Sequence, residues 1–159
     1  MEQTQTTPED WMQKLIRDYQ DTITRGAFEG IYQLDEKGLN TVMEEQARAC
    51  VQAFVKLYDI AEDLDLDSFL AKMASGGASK VHIQRDGNTI LWDEQHEGQC
   101  MCPFVRRNVI PLKPALCVCA VHWLRMLLEP HVGKPVRVEM LDSVAQGSQN
   151  CVFRITIED

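Results

Sequence analysis

The sequence predicts an α+β fold, with N-terminal helices packed on an antiparallel sheet made of two hairpins and a cysteine-led helix between them. Three observations carry this. Apolar residues recur at helical spacing through residues 1–75, and the period changes to two after Gly76-Gly77. Prolines 103, 111 and 114 then interrupt the chain before a second helical run. At 159 residues, with no Ser/Gly- or Pro-rich tether, a single domain 1–159 is expected. Its helical sector is 1–75, and 76–159 holds the sheet, cysteine loop and helix.

In chain order, Thr7-Pro8-Glu9-Asp10 combines a capping residue, a first-turn proline and acids at the positive end of a helix dipole. Trp11, Leu15, Tyr19 and Ile23 follow every four residues, which predicts one buried stripe ending near Arg25-Gly26. The longest helix is expected to begin at Asn40 or Thr41, with an apolar face from Val42 through Ala47, Cys50, Phe54 and Tyr58 to Ile60. Asp67 is the expected cap of a short third helix holding Phe69, Leu70 and Met73. Val81, Ile83, Ile90 and Trp92 flank Asp86-Gly87, a hairpin pair. A helix over Ala115–Glu129 is predicted to stop before Pro130, because a residue preceding proline disfavours the helical region. Alternation over Pro135–Leu141 and Cys151–Ile157 predicts the second hairpin.

Charge narrows the function. Residues 1–75 hold 15 acids and 7 bases, residues 76–159 hold 9 of each, and the net charge is −8. An acidic surface repels phosphate backbones and anionic lipid, so neither nucleic acid nor a membrane is an expected partner. No apolar run approaches the ~18 residues of a spanning helix, and the N-terminus lacks the basic and apolar regions of a secretory signal. The expectation is a soluble cytoplasmic protein. Gly-rich phosphate loops, nucleophile elbows and calcium loops are absent from the sequence.

The cysteines carry what chemistry there is. Cys100-Met101-Cys102 and Cys117-Val118-Cys119 form two Cys-x-Cys pairs, with Cys50 and Cys151 standing apart. Two thiolate pairs can close a tetrahedral site for zinc or another soft metal. On a helix, positions 117 and 119 diverge by about 200°, so both serve only if the helix starts at or after Cys119. Cys119 and His122 share a helical face, giving a second constellation of Cys100, Cys102, Cys119 and His122, with Cys117 in reserve. The same residues also read as a reactive thiol, Cys119, beside an imidazole base, His122, or as a reversible disulfide between pairs. Small buried packing residues are the plain alternative, and it is the preferred reading of Cys50. Trp92, Phe104 and Trp123 bracket this stretch and either line an apolar ligand pocket or fill the core.

Over Leu116–Ile157 the order of motifs is distinctive. Cys117-Val118-Cys119-Ala120-Val121-His122-Trp123 is followed by Leu128-Glu129, by Gly133-Lys134-Pro135-Val136-Arg137-Val138-Glu139, by Ser143 and by Gly147-x-x-x-Cys151-Val152-Phe153-x-Ile155. This resembles the closing segment of the vinyl-4-reductase-like domain superfamily. It is similar within that superfamily to a bacterial group near the L-2-amino-thiazoline-4-carboxylate hydrolase-like proteins. The resemblance covers about the last third of the chain. It implies helices on an antiparallel sheet around an apolar ligand pocket. It also implies a zinc held by cysteines and a glutamate near the last hairpin, with Cys151 and Cys117 or Cys119 matching ligand cysteines and Glu139 one residue out of register with the acidic ligand. Ser143 stands where another ligand cysteine is expected, and His122 replaces a glycine.

The leading functional expectation is a small-molecule-binding or sensing domain, with an apolar ligand and a cysteine-rich metal or redox site. A second reading is a hydrolase of a small sulfur- or nitrogen-containing ring, using Cys119 or a metal-bound water with His122 as base. A third is a structural subunit that forms a homodimer through its helices.

Overall fold

A computed structural model describes residues 8–61, 63–76 and 80–159. Its elements run α1 (Pro8–Ile31), α2 (Glu36–Leu57), α3 (Leu66–Ser75), β1 (Lys80–Asp86), β2 (Thr89–Gln95), a single turn α4 (Pro103–Arg106), α5 (Val118–Val132), β3 (Val136–Asp142) and β4 (Cys151–Ile157). Short 3-10 turns at Pro114–Cys117 and Val144–Gln146 lead into α5 and β4. The architecture is α+β, as the change of period predicts. Among the described residues no helix is long and apolar enough to cross a membrane.

The four strands form one antiparallel sheet in the order β1-β2-β4-β3, so the two hairpins join along β2 and β4. Ile90 lies opposite Ile155 and Trp92 opposite Phe153, and all four are buried. Residues paired across antiparallel strands share a face, so these two pairs form the inner surface of the sheet. Arg154, between Phe153 and Ile155, points the other way and is exposed. Leu124, Leu127 and Leu128 of α5, with Phe69 and Leu70 of α3, complete the main core. α2 packs on α5, which packs on β3, while α3 covers β1. Each fully buried aliphatic or aromatic side chain contributes about 1.5–3 kcal/mol.

A second, smaller core lies under the loops. Phe28 of α1 and Met43 of α2 meet Val109, Ile110 and Leu116, with Phe104, Cys102 and Cys119 packed around them. It fixes the last turns of α1. Arg25 Nε donates to the carbonyl of Val109 (3.0 Å), and the Tyr32 hydroxyl donates to that of Pro111 (3.2 Å).

Several expectations are corrected. The α1 stripe is not buried: Trp11 is 57% exposed, Tyr19 67%, and Leu15 and Ile23 are also open. Periodicity marks an apolar face but does not supply a neighbour, and only the C-terminal end of α1 reaches the second core. The helix also runs through Gly26 and Gly30 to Ile31, which makes it longer than α2. α2 begins before Asn40, at Glu36, because Asp35 accepts from the Gly38 amide as its cap. Asp65, not Asp67, caps α3 by accepting from the Ser68 amide (2.9 Å). Asp86 closes β1 opposite Thr89, leaving Gly87-Asn88 as the turn, with Gly87 at φ 55°. Pro130 lies inside α5, which continues until Gly133 adopts the left-handed conformation that ends it. Cys50 is exposed on α2 rather than core. The proposed Thr7 cap and residues 77–79 of the glycine junction lie outside the described residues.

Candidate functional site

The alternation that builds the core face of β2 does not stop at Trp92. Glu94 is the next inward position, and it stands directly opposite Cys151, the first residue of β4. The sheet therefore ends, on its core side, in a carboxylate beside a thiol. His96 follows just beyond β2, and its side chain is only 2% exposed. A tight turn brings it there. The Gln99 amide donates to the His96 carbonyl (3.0 Å), and Glu97 and Gly98 both take positive φ. The Gly98 amide donates to the carbonyl of Gln149 (2.8 Å), which pins this turn against the segment leading into Cys151. A Cβ at Gly98 would meet Gln149 Oε1 at 3.3 Å, so glycine suits both the backbone angle and the close approach.

The imidazole is held at one end. His96 Nε2 lies 2.7 Å from Glu94 Oε2, and Trp92 Nε1 donates to Glu94 Oε1 (3.0 Å). Since a carboxylate only accepts, Nε2 carries the hydrogen, which makes Nδ1 the basic nitrogen of the neutral ring. Nδ1 is buried and has no hydrogen-bond partner of acceptable geometry. Burial opposes the charged ring, yet interactions with Cys151 and Glu94 outweigh it and lift the His96 pKa to about 9. Cys151, His96 and Glu94 thus lie together at this end of the sheet, a thiol, an imidazole and a carboxylate.

Other thiols surround this end of the sheet. Cys117, at the close of a 3-10 turn, is hydrogen-bonded to the buried Ser143. Burial raises its pKa. Ser143 Oγ bonds to Gln146 Oε1 (3.1 Å), and the turn at 144–146 packs on the turn at 114–117. Burial pushes the Cys100 thiol up to about 11, although the Cys102 amide bonds to it.

The remaining sequence candidates take other positions. Burial pushes Cys119 up to about 12, with Cys50, Cys102 and Cys117 as its neighbouring thiols. His122 Nε2 meets Asn40 Oδ1 (2.9 Å), and burial lowers its pKa. Cys119 faces the second core while His122 faces α2, so the two share a helix without forming a thiol–imidazole pair. Trp123 packs edge-on against Phe54 at 5.0 Å, Phe104 against Phe28 at 6.0 Å, and Trp92 belongs to the main core. His131, which has no partner evident in sequence, stacks on Phe69 at 4.2 Å. Two shallow surface grooves, one lined by Arg17 and Arg107, the other by Arg48 and Met126, include no cysteine.

The zinc set implied by resemblance does not assemble. Glu139 is paired across the strands with Arg154 and ion-pairs with it (3.1 Å) on the outer face, away from Cys151. Among the described residues, no three His, Cys, Asp or Glu side chains converge in a way that could hold a metal ion. The sequence reading missed Glu94 and His96. Their signal was the even-numbered run 90, 92, 94, 96, apolar for two positions and then ionisable on the same face.

No family model matches this chain, and no curated protein does. Among solved structures, it is similar to a trafficking protein particle complex subunit 3 from Naegleria fowleri, covalently bound to palmitic acid. The TM-score is 0.50 at 10% identity, over 95% of this chain and 90% of that one. It is also similar to the phenol-responsive sensory domain of the transcription activator PoxR with phenol, at a TM-score of 0.46 and 14% identity over 77% and 65% of the two chains. An H-NOX protein from S. oneidensis in the Fe(II)NO ligation state gives 0.47 and 12%, over 98% and 78%.

Proposed function

We propose that the protein is a small-molecule-binding domain that engages its ligand through a thiol site at the end of the sheet. Cys151 is the reacting group, His96 the imidazole beside it and Glu94 the carboxylate that orients the ring. One observation carries the reading: a buried imidazole, bonded to Glu94 through Nε2, with Cys151 beside the ring. The ligand class that suits a thiol and an imidazole is a small electrophile or oxidant. Membership of the vinyl-4-reductase-like superfamily is part of the proposal and rests on the Gly147–Ile155 pattern. The likeness to the palmitate-bearing subunit supports the fold only.

The test is limiting alkylation of the reduced protein by iodoacetamide, followed by peptide mapping. Cys151 is expected to be modified ahead of Cys100, Cys117 and Cys119, and His96→Asn is expected to erase that preference. Equal labelling of all six cysteines would sink the reading.

A second reading, assembly through α1, is favoured by the exposed Trp11, Leu15, Ile16, Tyr19 and Ile23. Contiguous apolar patches of this kind mark interaction surfaces. In this reading a homodimer buries the stripe.

A further inference from the structure

We propose that a second copy of this chain covers the apolar stripe of α1, with the two α1 helices packed antiparallel about a two-fold axis. This rests on the assembly reading above and names the orientation of the pair. Among the described side chains of α1, only Asp21, Thr24, Phe28 and Ile31 are not exposed. Phe28 and Ile31 enter the second core, and Asp21 pairs with Arg107 (2.7 Å). At about 100° per residue, Trp11, Leu15, Tyr19 and Ile23 leave the opposite side of the helix. With Met12 and Ile16 they are each 47–67% exposed, and every residue from Asp10 to Gln20 is open. A helix draws most of its stability from packing an apolar face, so a stretch of this length calls for a neighbour.

The stripe fits its own copy in area, shape and charge. Large apolar side chains exposed to this degree offer roughly 100 Å² apiece, so two copies together cover on the order of 1,200 Å². That reaches the lower end of stable protein interfaces, about 1,200 Å². An antiparallel pair centred on residue 17 sets Trp11 level with Ile23 of the partner subunit, and Leu15 level with Tyr19 of the partner subunit. Each layer then joins an aromatic ring to an aliphatic side chain, whereas parallel helices would set ring against ring. Lys14 and Asp18 lie on the flank of the stripe beside Trp11, and neither has an ion pair among the described residues. In the antiparallel pair Lys14 comes within about 3 Å, along the axis, of Asp18 of the partner subunit. Parallel helices would set each charge level with its like. Residues 8–31 hold five acids and three bases, close to balance, while the whole chain at −8 repels an anionic bilayer.

The experiment places p-benzoylphenylalanine at Trp11 of the full chain and irradiates an equal mixture of light and nitrogen-15-labelled protein. Trypsin cuts after Lys14, Arg17 and Arg25, so a mixed-isotope link from peptide 1–14 to peptide 18–25 is expected. In sedimentation equilibrium, Lys14→Glu is expected to weaken the wild-type dimer about tenfold, and Lys14→Glu with Asp18→Lys to restore it. Circular dichroism checks that each variant keeps its helices. A link from 1–14 to 1–14, no link to 18–25, or a double variant as weak as the single one would overturn the antiparallel pair alone. A monomeric wild type, or a dimer that Leu15→Glu with Tyr19→Glu leaves intact, would overturn the assembly reading as well.

Discussion

His96 Nε2 lies 2.7 Å from Glu94 Oε2, at the end of an inward-facing run that begins with Ile90. The bond makes folding depend on pH, with a definite sign. Burial works against the charged ring, but Cys151 and Glu94 prevail, and the folded pKa of about 9 exceeds the ordinary value of 6.5. A raised folded pKa means the imidazolium is better accommodated in the folded protein. Its contribution is complete below about pH 6.5 and fades as pH rises through about 9. Urea midpoints of wild type and His96→Gln should differ most at the acid end of that window and converge above it. A gap that widens with rising pH would contradict the assignment.

Trp92 couples the core to the site, since its ring is buried and its Nε1 donates to Glu94 Oε1. Trp92→Phe keeps an aromatic core and removes the donor. A hydrogen bond to a charged group contributes about 1.5–3 kcal/mol, so a loss of about 2 kcal/mol in urea unfolding is expected. The same variant should blunt the selective alkylation of Cys151, because Glu94 loses one of the two groups that hold it.

The stripe on α1 should be an assembly surface. Light scattering of the wild type is expected to give about twice the 18.1 kDa chain mass. Leu15→Glu combined with Tyr19→Glu is expected to give the monomer with unchanged helical content, because neither side chain packs into either core. A monomeric wild type would remove this surface from consideration.

Gly133 ends α5 at φ 70°, and its amide donates to the Glu129 carbonyl (2.9 Å). No atom would obstruct an added Cβ, so the cost of Gly133→Ala is backbone strain alone. About 1–2 kcal/mol is expected, measured as a lower urea midpoint with an unchanged slope.

Much of the fold was legible because strand alternation and helix spacing report directly on which side faces inward. Val81, Ile90, Trp92, Phe153 and Ile155 were placed correctly by period alone, and all are buried. The α1 stripe was misread for the complementary reason: spacing shows that Trp11 and Tyr19 share a side, while their cover depends on tertiary contacts that a local pattern does not encode. Pro130 gave a stop signal that the packed helix overrides for three residues, through Val132.

The site was less legible. Attention to Cys-x-Cys spacing selected Cys100, Cys102, Cys117 and Cys119, residues that share a chemistry. Glu94 and His96 are far from Cys151 in sequence and meet it only through the pairing of β2 with β4. Asp86-Gly87 announced the first hairpin, but nothing local announced that its second strand would receive β4 as a neighbour.

That neighbour has a consequence for how the chain comes together during synthesis. β4 is the last of the four strands to emerge from the ribosome, yet it lies in the interior of the sheet between β2 and β3. The first hairpin and the helices before it are made while the edge they need is still missing. The inner faces of Ile90 and Trp92 must wait for Phe153 and Ile155, more than half a hundred residues later. Such long-range closure is slow and leaves an open strand edge exposed in the meantime. Completion of the core and the meeting of Glu94 with Cys151 are therefore one event, reached only when the sheet is whole.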